Sequence, residues 1–147
     1  MFTVFNKKTP KETAYAQELQ IQRDLALTVT DLAYTKQVAN FFNANGIQAE
    51  ILKPTCRFAP NLRLNMNGTI VVAKTIKAPT LLDVKDIRAY FSIAEVYKAG
   101  GLHKLPNPIS NVPYIITNIG FTTEAELEAK NRGLVLHFQP ITQPQAM

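Results

Sequence analysis

The chain has 147 residues, 46% hydrophobic and 18% charged, enough for one domain with a buried core and too apolar for an intrinsically disordered segment. Its single cysteine, Cys56, excludes an intrachain disulfide and a cysteine-cluster zinc site. A net charge of +5 directs attention to anionic partners.

Thr9-Pro10-Lys11-Glu12 predicts a helix start: a capping threonine, proline at the first helical position, and glutamate placed as in a capping box. The helix is expected to reach about Leu25, although "LALTVT" could equally be a short strand. Thr30 or Asp31 caps a second predicted helix with Leu32, Val38, Phe41 and Phe42 on its apolar face, closed by Asn45-Gly46. "IQAEIL" (47–52) alternates as a strand does and stops at Pro54.

"NLRLNM" (61–66) alternates as well, and Asn67-Gly68 after it is a strong hairpin signal, with "TIVVAKT" as the return strand. A helix is expected from about Leu81 to Ala99, ended by Gly100-Gly101. The proline-rich stretch 102–113 reads as a loop, and "YIITN" (114–118) as a buried strand. Thr123 and Glu126 suggest a capping box for a helix that stops at Gly133, before a last strand, "LVLHF" (134–138). The second half is therefore strand–helix–strand–helix–strand, which makes parallel neighbours with right-handed crossovers. With the hairpin in front, the expected fold is α/β, a mixed sheet flanked by helices. Residues 1–30 are expected to form an N-terminal helical extension, 31–138 the domain, and 139–147 a flexible polar tail.

A two-residue turn at 67–68 fixes the hairpin register. Met66 faces Thr69, Leu64 faces Val71, Arg63 faces Val72 and Asn61 faces Lys74. Asn61, Arg63, Val72 and Lys74 would then share one face, with Leu62, Leu64, Met66, Val71 and Ala73 on the core side.

The basic excess is local. Residues 53–104 hold nine basic and three acidic side chains, and no acid occurs between Ile51 and Leu82. A field of this kind suits a polyanion, nucleic acid first, though it also suits plain solubility. No apolar run approaches the roughly 18–20 residues of a membrane span. The stretch "MFTVFNKKTPKE" has no apolar core of signal-peptide length, so a cytoplasmic location without membrane partners is expected.

The ordered series of elements resembles the Mrr-type restriction endonucleases of the PD-(D/E)XK nuclease superfamily over residues 31–138. "YTKQVANFFNANG" (34–46) has the spacing of that family's first helix. "NLRLNMNGTIVVAKT" has the layout of its Asp…Glu/Gln-x-Lys hairpin, and "YIITNIGFTTEAELEAKNRGLVLHF" is similar to its closing segment. The resemblance implies a restriction-endonuclease-like core. It also implies a Mg²⁺ site built from carboxylates, since a hard cation that activates water needs oxygen ligands.

At the corresponding positions this chain has Thr35, Asn61 and Val72, and keeps only the lysine, Lys74. The expectation is a nuclease-like domain without its metal site or any cofactor, and leaning away from enzymatic activity. It would bind nucleic acid, DNA by the family's example, through Lys53, Arg57, Arg63, Lys74, Lys77 and Lys104. Two alternatives stay open. One is a protein-interaction module of the same fold, such as a homodimer. The other is a Mg²⁺-dependent endonuclease with relocated carboxylates, for which Glu50 and Asp83 are candidates. His103, His137 and Cys56 lack partnering patterns and read as structural; Asp83 reads as a helix-start residue.

Overall fold

The computed structural model describes residues 10–53, 59–98 and 113–142. Thr9, the expected cap of the first helix, and Cys56, Arg57, His103, Lys104 and the Gly100-Gly101 stop lie outside the described residues. Four helices and five strands are described: α1 (Pro10–Thr28), α2 (Asp31–Ala44), β1 (Gln48–Ile51), β2 (Leu62–Met66), β3 (Thr69–Ile76), α3 (Val84–Lys98), β4 (Tyr114–Thr117), α4 (Thr123–Arg132) and β5 (Val135–Phe138). The strands form one mixed sheet in sequential order. β1, β2 and β3 run antiparallel to their neighbours, and β3, β4 and β5 run parallel. No helix among the described residues is long and apolar enough to cross a membrane.

Local chemistry accounts for the joins. Thr30 accepts a hydrogen bond from Ala33 N (3.1 Å) and starts α2. "LALTVT" supplies the end of α1 and the short turn into α2 rather than a strand. Asn67 and Gly68 both adopt positive φ (54° and 90°), which the hairpin turn requires, and Gly68 N donates to Asn65 Oδ1. The register is the one derived above, from Met66↔Thr69 to Leu62↔Ala73.

α3 starts at Val84, later than expected. Asp83 precedes it, accepting from Lys85 N, while Asp86 accepts from Asp83 N, a reciprocal cap made by two aspartates. α4 is capped by Thr122, one residue earlier than expected, because its extended backbone lets Oγ1 accept from Ala125 N. Glu126 therefore is not the capping-box partner.

The sheet is covered on both faces. On one side α2 places Tyr34, Val38, Ala39 and Phe42 against Leu62, Leu64, Val71, Ala73 and Ile116. On the other, Ile87, Tyr90 and Ala94 of α3 and Ala125 and Ala129 of α4 pack on Ile115 and Leu134. Ile115 and Ile116 face opposite layers, as consecutive strand residues must. The helix on the second side also covers Val72, which is 1% exposed and whose carbonyl accepts from the Tyr90 hydroxyl. The hairpin's polar face is thus open only in part.

The segments on either side of 31–138 contribute to the same core. Ala26 and Ile141 are buried in the α2-side cluster. Gln22, also buried, donates to Ile141 O and accepts from Ile141 N, replacing a strand neighbour for that residue. Gln139 O accepts from Tyr34 Oη, and Thr142 is held by Gln37 on both its backbone groups. Residues 139–142, expected in the flexible tail, are therefore tied down by side chains that pair their backbone; residues 143–147 lie outside the description. Burial pushes the Tyr34 phenol well above its ordinary pKa, so it stays a neutral donor to that carbonyl.

Two outcomes follow from this packing. Gln22→Ala leaves both backbone groups of Ile141 unpaired and should lower unfolding free energy by about 2 kcal/mol in urea titration, whereas Gln20→Ala, on the exposed face, should change it by less than about 0.5 kcal/mol.

The second concerns the join between α3 and α4. Hydrogen bonds from Arg132 and then Arg88 hold the Glu128 carboxyl below its usual range, and Arg132 also lies 5.0 Å from the Phe91 ring centre. A carboxylate with a depressed folded-state pKa adds stability above its unfolded pKa, and that stability is lost as pH falls through the folded value. Thermal midpoints of the natural chain and Glu128→Gln should therefore differ at pH 7 and converge at acid pH, once the folded-state carboxylate is protonated.

Candidate functional site

Lys74 sits near the end of β3, where the hairpin meets the parallel half of the sheet, and is half-buried. Beside it is a cavity of about 190 Å³ lined by Asp31, Asn61, Lys74, Thr75, Ile76, Lys77 and Asp86. Three elements bring the polar groups there. The first turn of α2 supplies Asp31, the first turn of α3 supplies Asp86, the end of β3 supplies Lys74, and Lys77 follows just after the strand.

Asn61 stands just before β2, and its backbone N–H still reaches Ala73 O across the hairpin. Its side chain turns toward α2 and away from the line Arg63–Val72. Asn61 Oδ1 accepts from Thr75 N (2.9 Å), and Nδ2 donates to Thr75 Oγ1 (2.8 Å) and, at 3.4 Å, to Thr35 Oγ1. The two threonine hydroxyls are 2.8 Å apart, and Thr35 Oγ1 also bonds Asp31 O (3.0 Å).

Donor accounting orders this network. Asn61 donates to Thr75, Thr75 to Thr35, and Thr35 to the Asp31 carbonyl, so each hydroxyl gives one proton and accepts at least one. Asn61, Thr75 and Thr35 are all buried. The group is neutral and satisfied, and the one side-chain oxygen that Asn61 could offer a cation is already held by an amide.

The residues singled out from the sequence are thus only partly assembled. Thr35 and Asn61 come together, and Asn61 shares the cavity with Lys74 and Lys77. Val72 does not line it. Arg63 is partly exposed and ion-paired with Glu50 across β1 and β2. Lys53 is exposed beyond β1. Lys77 is deeper than a surface cation: its ammonium donates to Ala26 O in the last turn of α1 and lies 3.7 Å from Asp31 Oδ1. It neutralises the negative end of a helix and a carboxylate, so part of its charge is spent inside the fold.

Of the two acids considered as relocated ligands, Glu50 is engaged by Arg63 and Asp83 by the start of α3; neither lines the cavity. Sequence reasoning missed the two acids that do. Asp31 is four residues before Thr35, one turn back on the same helical face, and that spacing could have found it. Asp86 depended on where α3 begins. Among the described residues no group of three or more His, Cys, Asp or Glu is placed to hold a metal ion. His137 packs against the rings of Phe41 and Phe42 and bonds Gln139, away from the cavity.

No family model matches the chain, and no curated protein sequence matches it. Among solved structures it is similar to AF1548, a protein of unknown function, with a TM-score of 0.49 and 18% identity over 68% of this chain and 53% of that one. It is also similar to the MspJI restriction endonuclease in complex with a 27-mer oligonucleotide, with a TM-score of 0.47 and 15% identity over 92% of this chain and 33% of that one. The chain spans about half the length of the first and a third of the second. By its own element order, this is an α/β protein with a five-stranded mixed sheet between helices, consistent with a restriction-endonuclease-like fold.

The buried network gives a direct test of the site's construction. Thr75→Val keeps shape but removes the hydroxyl that links Asn61 to Thr35. It should cost about 2 kcal/mol of unfolding free energy in urea titration, because Asn61 Nδ2 loses its short bond in a buried place.

Proposed function

We propose that the chain is a nucleic-acid-binding domain of the Mrr-like type that grips the phosphate backbone around Lys74 and does not cleave it. The observation that carries the reading is the closed Asn61–Thr75–Thr35 network. Where the family's pattern calls for charged oxygens turned toward a metal, this chain has neutral groups turned toward one another. A divalent cation there would meet only neutral oxygens already engaged in buried hydrogen bonds, and would gain no charge in return.

Lys74 at the cavity wall supplies a positioning contact for a phosphate, and the neutral Asn61 beside it adds no repulsion. Arg63 and Lys53 extend the cationic surface along the hairpin side, Arg63 with its charge shared by Glu50. Arg57 and Lys104 belong to the proposal by sequence alone.

Labelled duplex and single-stranded DNA and RNA, titrated at low and moderate salt, test it. Binding should be in the micromolar range and fade about tenfold or more over a modest rise in salt, with about 0.9 added to the duplex slope per phosphate engaged. Lys74→Ala should weaken binding to all sequences alike and flatten the slope by about one unit. Mg²⁺ should produce no cleavage. Absence of binding at low salt would transfer the case to a protein-interaction module, and Mg²⁺-dependent cleavage lost in Lys74→Ala would restore the nuclease.

A further inference from the structure

The cavity beside Lys74 carries two anions as well as two cations. We propose that it selects a ribonucleotide strand, with Asp31 or Asp86 accepting a hydrogen bond from a ribose 2′-hydroxyl while Lys74 meets the adjacent phosphate. This rests on the nucleic-acid reading above and specifies its ligand.

A carboxylate presented to a polyanion is repulsive unless the strand supplies a proton for it to accept. Asp31 is on the first turn of α2, its side chain 90% exposed, and its contact with Lys77 is a loose 3.7 Å. Asp86 uses Oδ2 to accept from Asp83 N. Both carboxylates line the cavity that Lys74 lines, so a phosphate drawn to that ammonium brings its sugar next to them.

A deoxyribose within a strand has no hydroxyl to offer; a ribose has one per nucleotide, and it is both a donor and the group by which proteins tell RNA from DNA. Acidic side chains accept from this hydroxyl in dinucleotide-binding sites for the same reason. The cavity, about 190 Å³, is of a size to take one sugar–phosphate unit.

Base N–H groups are the other donors a strand could offer, so the test holds them equal. Uracil has no exocyclic amine, and its N3–H is common to both oligomers. Oligouridylate and oligodeoxyuridylate of equal length differ only at the 2′ position. At low salt the full chain should bind the ribo form about tenfold more tightly, the scale of one hydrogen bond to a charged acceptor.

Asp31→Asn and Asp86→Asn keep shape and an acceptor oxygen but not the charge. At least one should reduce the ratio to about two or less while leaving or raising affinity for the deoxy strand, and Lys74→Ala should weaken both strands. Equal affinity of the natural chain for the two oligomers overturns the proposal and leaves nucleic-acid binding intact. So does a preference that appears only with amine-bearing bases, or one that both aspartate variants retain. Failure of both strands to bind at low salt overturns this proposal together with the reading it rests on.

Discussion

The side chain of Asn61 is the joint on which the site depends. Its carboxamide presents an acceptor and a donor in one plane, and Thr75 presents a backbone N–H and a hydroxyl to match. Through Thr75 the same residue reaches Thr35 and the first turn of α2. The helix α2 and the β2–β3 hairpin are thereby fixed to each other by groups that carry no charge. An aspartate at this position could accept from Thr75 N but could not donate to Thr75 Oγ1. It would also have to be ionised, or costly to ionise, in a buried place. The neutral residue is the one that lets the region close without a metal.

Closure there changes what the surrounding charges can do. Lys77 is drawn inward by the end of α1 and by Asp31, and serves the fold before any ligand. Arg63 and Glu50 offset each other at the first antiparallel pair. The basic excess of the middle of the chain therefore does not translate into an equally basic surface. What it leaves at the cavity is a mixed lining in which cations and anions are neighbours. Mixed linings discriminate by where a ligand's own donors lie, which a uniformly positive patch cannot do.

Much of the scaffold was legible because it is governed by short-range rules. Alternation in 61–66, the Asn67-Gly68 turn and the Gly133 stop each have a local cause, and together they set the register and the order of the parallel strands. The helix starts were legible to within a residue or a few, since Thr122 and Thr123, or Leu81 and Asp83, compete for one role and only backbone conformation decides. Gln22 bonding Ile141 could not be read, since the two are 119 positions apart and Ile141 lies in no predicted element. Nor could the turning of Asn61 toward α2. Strand alternation assigns a side chain to a face only within the paired register, and Asn61 lies just beyond it.

The same distinction explains why Val72 and Asn61, read together as lost carboxylate positions, have different fates. Val72 is within the ladder, so its side chain is committed to the layer under Tyr90 and is core. Asn61, beyond the ladder, turns to polar partners and is the centre of a network. One position is settled by apolar burial and the other by hydrogen bonds. Both leave the end of β3 and Lys74 in position. The end of β3 is therefore held by packing under Tyr90 on one layer and by neutral hydrogen bonds on the other, a geometry that the protein's own side chains maintain.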